Sequence, residues 1–225
     1  MANYEMNPSV LEQYLPKGVE LDFYKNKTYV SLVGFMFKNT RLFGLPIPFF
    51  ESFEEINLRF YVKREITPKN WRSEVAFTKL FFPKTALTLV AKHMYKENYE
   101  TKNMRHKWSE NENELFTSYG LKKNCWHDID LVSEKKSSPI CSNTPEDFFS
   151  KHYWGTSKIN RNSSTIYKID HPLWKSHKVL SSNISFDFNL VFGSEFKHLT
   201  NIKPSTVHLF DGSEVLVHKK KIVSQ

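Results

Sequence analysis

Residues 54–64 alternate apolar and polar side chains with a period of two, and this pattern restricts the fold more than any other segment. Successive side chains of a β-strand point to opposite faces, so the segment predicts a strand with one apolar and one polar face. The polar face carries a cation, Arg59. The apolar positions are Ile56, Leu58, Phe60 and Val62, and the polar positions are Asn57, Arg59, Tyr61 and Lys63.

Much of the remaining chain also has strand character. Residues 28–37 are rich in β-branched and aromatic side chains on both faces, which predicts a strand that is buried on both sides or lines a barrel. Residues 133–143 are polar and are predicted to form a loop. Shorter patterns predict strands over residues 71–80, 104–109, 114–121, 126–132, 165–171, 177–188, 206–210 and 214–218.

Three segments predict helices. Asn7-Pro8 and Thr144-Pro145 each combine a capping residue with a proline at the first helical position. The second pair predicts a helix from residue 145 to about residue 152, where His152 favours the negative end of the helix dipole and Gly155 is a candidate terminator. Apolar side chains at helical spacing predict a further helix over residues 83–96.

The charge of the chain is concentrated in one segment. The 225 residues carry a formal charge of +8, which raises the question of a nucleic-acid or membrane partner. Residues 63–107 hold 11 basic and 4 acidic side chains, a surplus of 7. These basic residues alternate across strand faces and around a helix, so they need not form one patch, and nucleic-acid binding through residues 63–107 ranks last among the functions considered.

The sequence also excludes several classes of protein. No apolar run approaches the roughly 18–20 residues that span a bilayer, so no membrane partner is predicted. Cys125 and Cys141 are too few for a disulfide framework, which favours a reduced, cytoplasmic protein. No repeat or linker is visible, so residues 1–225 are predicted to form one domain, mainly of antiparallel sheet.

Signatures of common enzymes are missing from the sequence. It contains no G-x-G-x-x-G, P-loop, H-E-x-x-H, G-x-S-x-G or C-x-x-C pattern. Only 7 glycines are present, which argues against a nucleotide-handling enzyme because phosphate loops need close backbone approach. His171 and His177 lie six residues apart with no evident third ligand, so neither a metal nor a cofactor is predicted.

Eight short blocks occur in an order that resembles the YqjF-like family, which is also called domain of unknown function 2071. The blocks extend over nearly the whole chain. Members of that family usually carry a further strand-forming stretch upstream of Met1, so one strand of the sheet is expected to be incomplete here. The blocks are Tyr4-Glu5-Met6, Leu15-Pro16-x-Gly18-x-Glu20-Leu21-Asp22, residues 29–35, residues 53–62, Tyr95-x-Glu97-Asn98-Tyr99, Met104-Arg105-His106, His152-Tyr153-Trp154-Gly155 and Asp170-His171-Pro172-x-Trp174.

This resemblance implies an acetoacetate decarboxylase-like fold. That fold is of the α+β class and mainly β: a curled antiparallel sheet, part cone and part open barrel, with short peripheral helices. The family itself brings no established activity. In acetoacetate decarboxylase a Schiff-base lysine follows an aromatic-Pro pair, and Phe82-Pro83-Lys84-Thr85 is similar to that motif, which implies that Lys84 occupies the position of the nucleophile.

Lys84 has three interpretations. As a nucleophile it would need a neighbouring cation or burial to remove its proton, but Thr85 stands where the decarboxylase has a second lysine. No clear counterpart of the decarboxylase's acidic residue precedes the strand at 54–62. Lys84 could instead hold an anion at the start of the 83–96 helix, or it could be a solvated surface residue, which is the commonest fate of a lysine.

Other candidate ligand-binding residues are Arg59, Arg105, His106, Tyr153 and Trp154. Arg105 and His106 follow one another on a strand, so one of them could face a barrel interior, with His106 as a candidate general base or a structural histidine. Arg59 and Glu97 are candidate ion-pair partners. Tyr153 and Trp154 could line the mouth of a pocket or pack against the sheet.

Three functions are therefore considered. The first is the binding of an unknown small molecule, anionic or carbonyl-containing, in a pocket of the curled sheet. The second is a decarboxylase-like lyase that uses Lys84, and the third is the nucleic-acid binding described above. Whether the protein is an enzyme is left undecided, and assembly as a homo-oligomer is left open.

Overall fold

The computed structural model describes residues 1–42, 44–46, 51–95 and 98–224, and strands make up most of this part of the chain. The helices are α1 (Pro8–Glu12), α2 (Thr85–Tyr95), α3 (Pro145–Ser150) and α4 (Phe188–Phe192), followed by a 3-10 helix (Ser194–Asn201). The strands are β1 (Ala2–Met6), β2 (Glu20–Leu21), β3 (Thr28–Phe37), β4 (Arg41–Leu42), β5 (Leu45–Pro46), β6 (Phe53–Thr67), β7 (Asn70–Phe82), β8 (Tyr99–Thr101), β9 (Asn103–Glu110), β10 (Glu114–Lys123), β11 (Cys125–Pro139), β12 (Trp154–Lys158), β13 (Ser163–Asp170), β14 (Lys175–Ser185), β15 (Thr206–Val207), β16 (Leu209–Phe210), β17 (Leu216–Val217) and β18 (Lys221–Ser224).

These strands form two main sheets. The large, curled sheet has the order β15-β1-β3-β6-β7-β12-β13-β17, with β2, β8 and β18 paired alongside β6, β7 and β13. Its neighbours are antiparallel except for β7 with β12 and β7 with β8, which are parallel. The second sheet has the order β16-β14-β11-β10-β9 and is antiparallel throughout. The predicted mainly β fold with a curled antiparallel sheet and short helices is confirmed.

The two-faced pattern of residues 54–64 sets the position of the core. On β6 the side chains of Ile56, Leu58 and Phe60 are fully buried. They share one hydrophobic cluster with Leu121 and Ile129 of the second sheet. The two sheets therefore pack against each other through the apolar face of β6, and the predicted alternation is confirmed.

One glycine allows the sheets to approach closely. A Cβ placed on Gly34 of β3 would lie 3.0 Å from the Cβ of Tyr119 on β10. That distance is shorter than nearly all contacts between real Cβ atoms. Gly34 thus removes the side chain that would hold the second sheet away from β3.

The capped helices begin where the sequence predicts. The Asn7 side chain accepts a hydrogen bond from the backbone of Ser9 (3.0 Å), and the Thr144 hydroxyl accepts one from the backbone of Asp147 (3.3 Å). Both N-caps satisfy amides that the first helical turn leaves unpaired. Among the described residues, no helix is long and apolar enough to cross a bilayer.

Three predicted boundaries are wrong. Gly155 does not end α3, because it lies inside β12, where a Cβ would overlap the ring of its cross-strand partner Tyr167. Residues 133–139 are not a loop, because pairing with β14 holds these polar residues in β11. The strand predicted over 177–188 ends at Ser185, because the Asp187 carboxylate accepts a hydrogen bond from the backbone of Leu190 and starts α4.

A buried ionic network links strands at one end of the core. Glu74 on β7 is completely buried and accepts hydrogen bonds from Arg64 (3.0 Å) and from Arg72 (2.7 Å). Arg64 also donates to the backbone carbonyl of Gly18 (3.1 Å) and to the hydroxyl of Thr156 (3.3 Å). The network therefore joins β6, β7 and β12 to the segment that follows α1.

Removing the buried carboxylate should be costly. Glu74→Gln leaves the buried Arg64 guanidinium without a counter-charge, and we expect unfolding free energy to fall by about 3–5 kcal/mol. Urea unfolding monitored by circular dichroism measures the change. Glu20→Gln is the matched control, because Glu20 is exposed and only 3.9 Å from its partner Lys63. Equal midpoints for the two variants would contradict the assigned role of Glu74.

Candidate functional site

The second face of β6 is polar although most of it is buried. Glu55, Asn57 and Tyr61 are almost inaccessible to solvent, and Arg59 is partly buried between them. Asn57 donates a hydrogen bond to the Glu55 carboxylate (2.7 Å). Burying polar side chains at successive positions on one face of a strand costs free energy unless they are paired. This polar face is therefore a candidate site.

A row of hydrogen bonds extends across the polar face from β6 to β15. The Ser31 hydroxyl donates to the Asn3 amide oxygen (2.6 Å) and lies 2.6 Å from the Tyr61 hydroxyl. Because Ser31 has one hydroxyl proton, Tyr61 must be the donor in the second bond. The Asn3 amide nitrogen in turn donates to the Thr206 hydroxyl (3.0 Å), which lies 3.0 Å from Nε2 of His208.

Helix α3 covers the Tyr61 end of the polar face. Arg59 donates to the backbone carbonyl of Phe149 (3.1 Å), and its guanidinium carbon lies 5.8 Å from the centre of the Tyr61 ring. His152, two residues beyond α3, has its ring centre 4.8 Å from that of Tyr61 and 5.6 Å from that of Phe148. We refer to Arg59, Tyr61, Phe148, Phe149 and His152 as the Arg59–His152 cluster.

Several polar atoms in and beside this cluster lack hydrogen-bond partners. Both ring nitrogens of His152, Nε of Arg59 and Oδ1 of Asn57 are buried, and none of them has a partner among the described residues. Leaving a buried donor or acceptor unpaired costs about 1–3 kcal/mol per group. These unpaired atoms lie on the face that also carries the cation, so hydrogen-bonding capacity for a ligand is concentrated there.

His152 is held in its neutral form. Burial lowers its pKa to about 3, and the nearby positive charge of Arg59 adds to this effect. The prediction that His152 favours the negative end of a helix dipole is therefore wrong, because that role requires a protonated ring. A neutral imidazole offers one N–H donor and one acceptor nitrogen. A general base works best with a pKa near the working pH, and the pKa of His152 lies well below neutral pH.

Lys84 lies between β7 and α2, immediately before the first residue of α2. Its side chain is exposed, and its backbone carbonyl accepts a hydrogen bond from the amide of Thr88 (3.1 Å). The predicted ion-pair partner of Arg59, Glu97, lies outside the described residues. The predicted nucleophile and the predicted cation are thus on different elements.

Arg105 and His106 belong to the second sheet. Arg105 is exposed, forms a bidentate pair with Asp128 (2.7 Å and 3.0 Å) and stacks on Trp126 at 4.1 Å. His106 is half-exposed and its Nδ1 lies 2.6 Å from the Glu54 carboxylate. Both side chains therefore hold elements together at a distance from the Arg59–His152 cluster.

Tyr153 and Trp154 follow His152 but point to other surroundings. Tyr153 stacks on His171 with ring centres 4.6 Å apart, and Trp154 stacks under Arg72 at 3.6 Å. His171 stacks in turn on Trp174 at 4.3 Å. No group of three or more His, Cys, Asp or Glu side chains in the described part of the chain is arranged to hold a metal ion.

Several basic residues of 63–107 pair with acidic side chains, which lie on different elements. Lys79 lies 3.0 Å and Lys102 3.8 Å from the carboxylate of Glu100 on β8. Arg64 and Arg72 bind Glu74 on β7, and Arg105 binds Asp128 on β11, as described above. The paired cations of this segment therefore lie on both sheets.

Several members of the site were not among the predicted site residues. Asn57 and Tyr61 could have been found, because they fall on the polar positions of the alternating strand that was correctly predicted over residues 54–64. Ser31 lies in a strand that was predicted to be apolar on both faces, so its role had no such signal. His152 was predicted at the end of a helix and not in a site. Nothing local in the sequence indicates that His152 meets Arg59, since the two lie more than ninety residues apart.

Comparison with known sequences identifies a family. The profile of the DUF2071 family, described as an uncharacterised conserved protein, matches residues 1–214. The uncharacterised protein YqjF of Bacillus subtilis strain 168 is 39% identical over 62 residues. That alignment spans 27% of this chain and 26% of YqjF.

Comparison with solved structures identifies similar folds. Acetoacetate decarboxylase from Legionella pneumophila superposes with a TM-score of 0.59 at 13% identity, covering 99% of this chain and 83% of that one. The enduracididine biosynthesis enzyme MppR, solved in complex with pyruvate, gives a TM-score of 0.64 at 10% identity, covering 98% and 86%. At these identities the likeness concerns the fold, and the predicted acetoacetate decarboxylase-like fold is confirmed.

The buried His152 ring makes stability depend on pH. An unfolded histidine titrates near pH 6.5, and burial lowers the pKa of His152 to about 3 in the fold. Between these values the unfolded state binds more protons, so stability falls as pH is lowered, by about 2 kcal/mol at pH 5. We expect His152→Phe, which keeps an aromatic ring in place, to lose this part of the acid sensitivity.

Urea unfolding at pH 7 and pH 5 tests this expectation. The exposed His198 provides the matched control variant, His198→Phe, which should keep the pH dependence of the unmodified protein. A His152→Phe variant that loses as much stability between pH 7 and pH 5 as the unmodified protein would contradict the assignment.

Proposed function

The chain belongs to the DUF2071 family of uncharacterised conserved proteins, and we propose that it binds a small anionic or carbonyl-containing ligand at the Arg59–His152 cluster. One observation carries the proposal: Nε of Arg59 and both ring nitrogens of His152 are buried in the same cluster, and none of them has a hydrogen-bond partner among the described residues. A carboxylate or carbonyl oxygen accepts hydrogen bonds from such donors. The ligand would therefore satisfy groups that are otherwise unpaired.

The chemistry of the two donors suits an oxygen acceptor. A guanidinium offers five N–H donors in a planar fork, and Nη2 of Arg59 already uses one of them on Phe149. The remaining donors include Nε–H, which can bind a carboxylate by a charge-assisted hydrogen bond. A neutral His152 adds an N–H donor without adding a second positive charge.

The surroundings of the two donors favour a small ligand. Tyr61, Phe148 and Phe149 surround the guanidinium and the imidazole with aromatic rings, and the ring centres of Tyr61 and Phe149 are 5.3 Å apart. A low local dielectric strengthens the interaction of Arg59 with an anion. We infer a ligand of few atoms.

We also propose a cytoplasmic location, which accords with the free, exposed thiols of Cys125 and Cys141.

The proposal is tested with three probes that separate the two functional groups. Pyruvate carries a carboxylate and a ketone, acetate only the carboxylate, and acetone only the ketone. We expect pyruvate and acetate to bind, and we expect Arg59→Met to weaken both at least tenfold, because a charge-assisted hydrogen bond contributes about 1.5–3 kcal/mol. Titration followed by NMR measures each Kd.

Arg161→Met is the matched control, because Arg161 is exposed in the turn between β12 and β13. Binding to this variant should equal binding to the unmodified protein. Arg59→Lys, which keeps the positive charge but not the planar fork, should bind with intermediate affinity. Unchanged pyruvate and acetate affinities in Arg59→Met would refute the proposed site.

A lyase that uses Lys84 is the second candidate function. It is favoured by the shared fold with acetoacetate decarboxylase and by the position of Lys84 between β7 and α2. Imine chemistry needs a lysine in an apolar pocket or beside another cation, whereas Lys84 is exposed and followed by Thr85. Between the two candidates, ligand binding is the better supported.

Reductive trapping distinguishes the two candidates. A lysine amine that attacks the ketone of pyruvate releases water and leaves an imine, which borohydride reduces to a stable secondary amine. We expect no added mass on the peptide that contains Lys84, measured by mass spectrometry after proteolysis. Added mass on this peptide that disappears in Lys84→Arg would instead establish the lyase-type chemistry.

A further inference from the structure

A cleft of about 400 Å³ lies outside the Arg59–His152 cluster, between β11, β14, α3 and the segment β15–β16. Its volume is within the usual range for small-molecule sites. Charged and titratable side chains from these elements line it, among them Glu134, Lys136, Glu146, His177, Lys178 and His208. We call it the bulge cleft.

An irregularity in strand pairing builds one wall of the cleft. Ser133 pairs with Val179 and Ser137 pairs with His177, so residues 134–136 of β11 lie opposite the single residue Lys178 of β14. Such bulges redirect side chains and are enriched next to functional sites. Here the bulge brings both Glu134 and Lys136 to the cleft.

Part of the charge in the cleft is already paired. Lys178 forms an ion pair with Glu134 (2.8 Å), and the ring nitrogen Nδ1 of His177 donates to the backbone carbonyl of Glu134 (3.1 Å). In a neutral imidazole this bond leaves Nε2 of His177 as an acceptor. Glu134 and Lys178 therefore neutralise one another, and Nε2 of His177 remains available for a donor.

Two opposite charges in the same cleft are not paired with each other. Lys136 forms no ion pair with any residue that the structure describes. Within the same residues, the one ion-pair partner of the Glu146 carboxylate is His208, whose Nδ1 lies 3.4 Å away. A carboxylate has about four lone-pair positions, so Glu146 can accept further hydrogen bonds. One cation and one anion thus face a common space of small-molecule size.

We propose that the bulge cleft binds a small zwitterion, a molecule that carries both an ammonium and a carboxylate group. The ligand carboxylate pairs with Lys136, close to the hydroxyl groups of Ser138 and Ser176, which also line the cleft. The ligand ammonium donates to Glu146 and to Nε2 of His177. A ligand with a single charge would leave either Lys136 or Glu146 unpaired, so the arrangement selects for molecules with both charges.

The position of Glu146 beside His208 strengthens the case for a built site. His208 is buried and sits against Phe149, with ring centres 5.9 Å apart. Burial lowers the pKa of His208 to about 4, although Glu146 opposes the shift. A neutral His208 leaves the negative charge of Glu146 available to a ligand.

The experiment uses a series of ω-amino acids as probes. Glycine, β-alanine, 4-aminobutyrate and 6-aminohexanoate place the same two charges at increasing separation, and acetate and methylammonium carry one charge each. NMR titration of the full chain follows the backbone amides of Lys136, His177 and Lys178. We expect at least one zwitterion to bind at least tenfold more tightly than both single-charge probes.

Three variants test whether Lys136 and Glu146 bind the two charges of the ligand. Lys136→Gln and Glu146→Gln should each abolish the tenfold tighter binding of the zwitterion over the single-charge probes. Lys135→Gln is the matched control, because Lys135 lies in the same bulge but pairs with Glu110 (2.9 Å) outside the cleft, and it should keep that advantage. Thermal melting of each variant confirms that it is folded.

Several results would overturn the proposal. One is that no zwitterion in the series binds more tightly than acetate and methylammonium. Another is an equal loss of affinity in Lys135→Gln and Lys136→Gln. Shifts confined to residues around Arg59 and His152 would place the zwitterion at that cluster instead, so this test is independent of the ligand proposed there.

Discussion

Strand β6 divides the protein into an apolar core and a polar face, and the rest of the structure depends on this division. It is a central strand, paired with β3 and β7, and side chains on both of its faces are buried near its middle. The apolar face joins the two sheets through Ile56, Leu58 and Phe60. The other face must then hold Glu55, Asn57 and Arg59 in surroundings where each unpaired group is costly.

The two faces handle polar groups differently. At the end of the apolar face, Glu74 is bound by two arginines, and Arg64 of this pair donates to further oxygen atoms, so the charges are compensated. On the polar face, Arg59 and His152 keep buried nitrogens that have no hydrogen-bond partner in the part of the chain that the structure describes. Proteins often accept such a local cost at functional sites and compensate it elsewhere. This contrast separates a structural ion pair from the candidate site.

The polar face and the bulge cleft are connected by a chain of contacts. Hydrogen bonds lead from Tyr61 through Ser31, Asn3 and Thr206 to His208, and the other ring nitrogen of His208 faces Glu146. Tyr61 donates to Ser31, Ser31 donates to Asn3, and Asn3 donates to Thr206 on β15, so these hydrogen bonds all have the same direction. The orientation of the Tyr61 hydroxyl is therefore fixed by residues that come from β1, β3 and β15.

Sequence patterns predicted those features of the fold that depend on neighbouring residues. The alternation on β6, the doubly buried β3 and the N-caps of α1 and α3 are all confirmed, because side-chain direction and capping follow from local backbone geometry. The strand over 133–139 was missed because its polar residues have low strand propensity, and pairing with β14 overrides that preference. Helix α4 carried a local signal, the capping residue Asp187, within a segment that was predicted as strand.

By itself, the sequence determined that the chain has a mainly β fold with Arg59 on the polar face of one strand, and its ordered blocks resembled the family to which it belongs. Only the tertiary structure decided which polar residues meet. It brought Phe149 onto Arg59 and His152 onto Tyr61. It placed Arg105, His106, Tyr153 and Trp154 in other contacts. The reason is physical: the period of a strand is set by covalent geometry, whereas contacts across ninety residues depend on how the sheet curls and what packs against it.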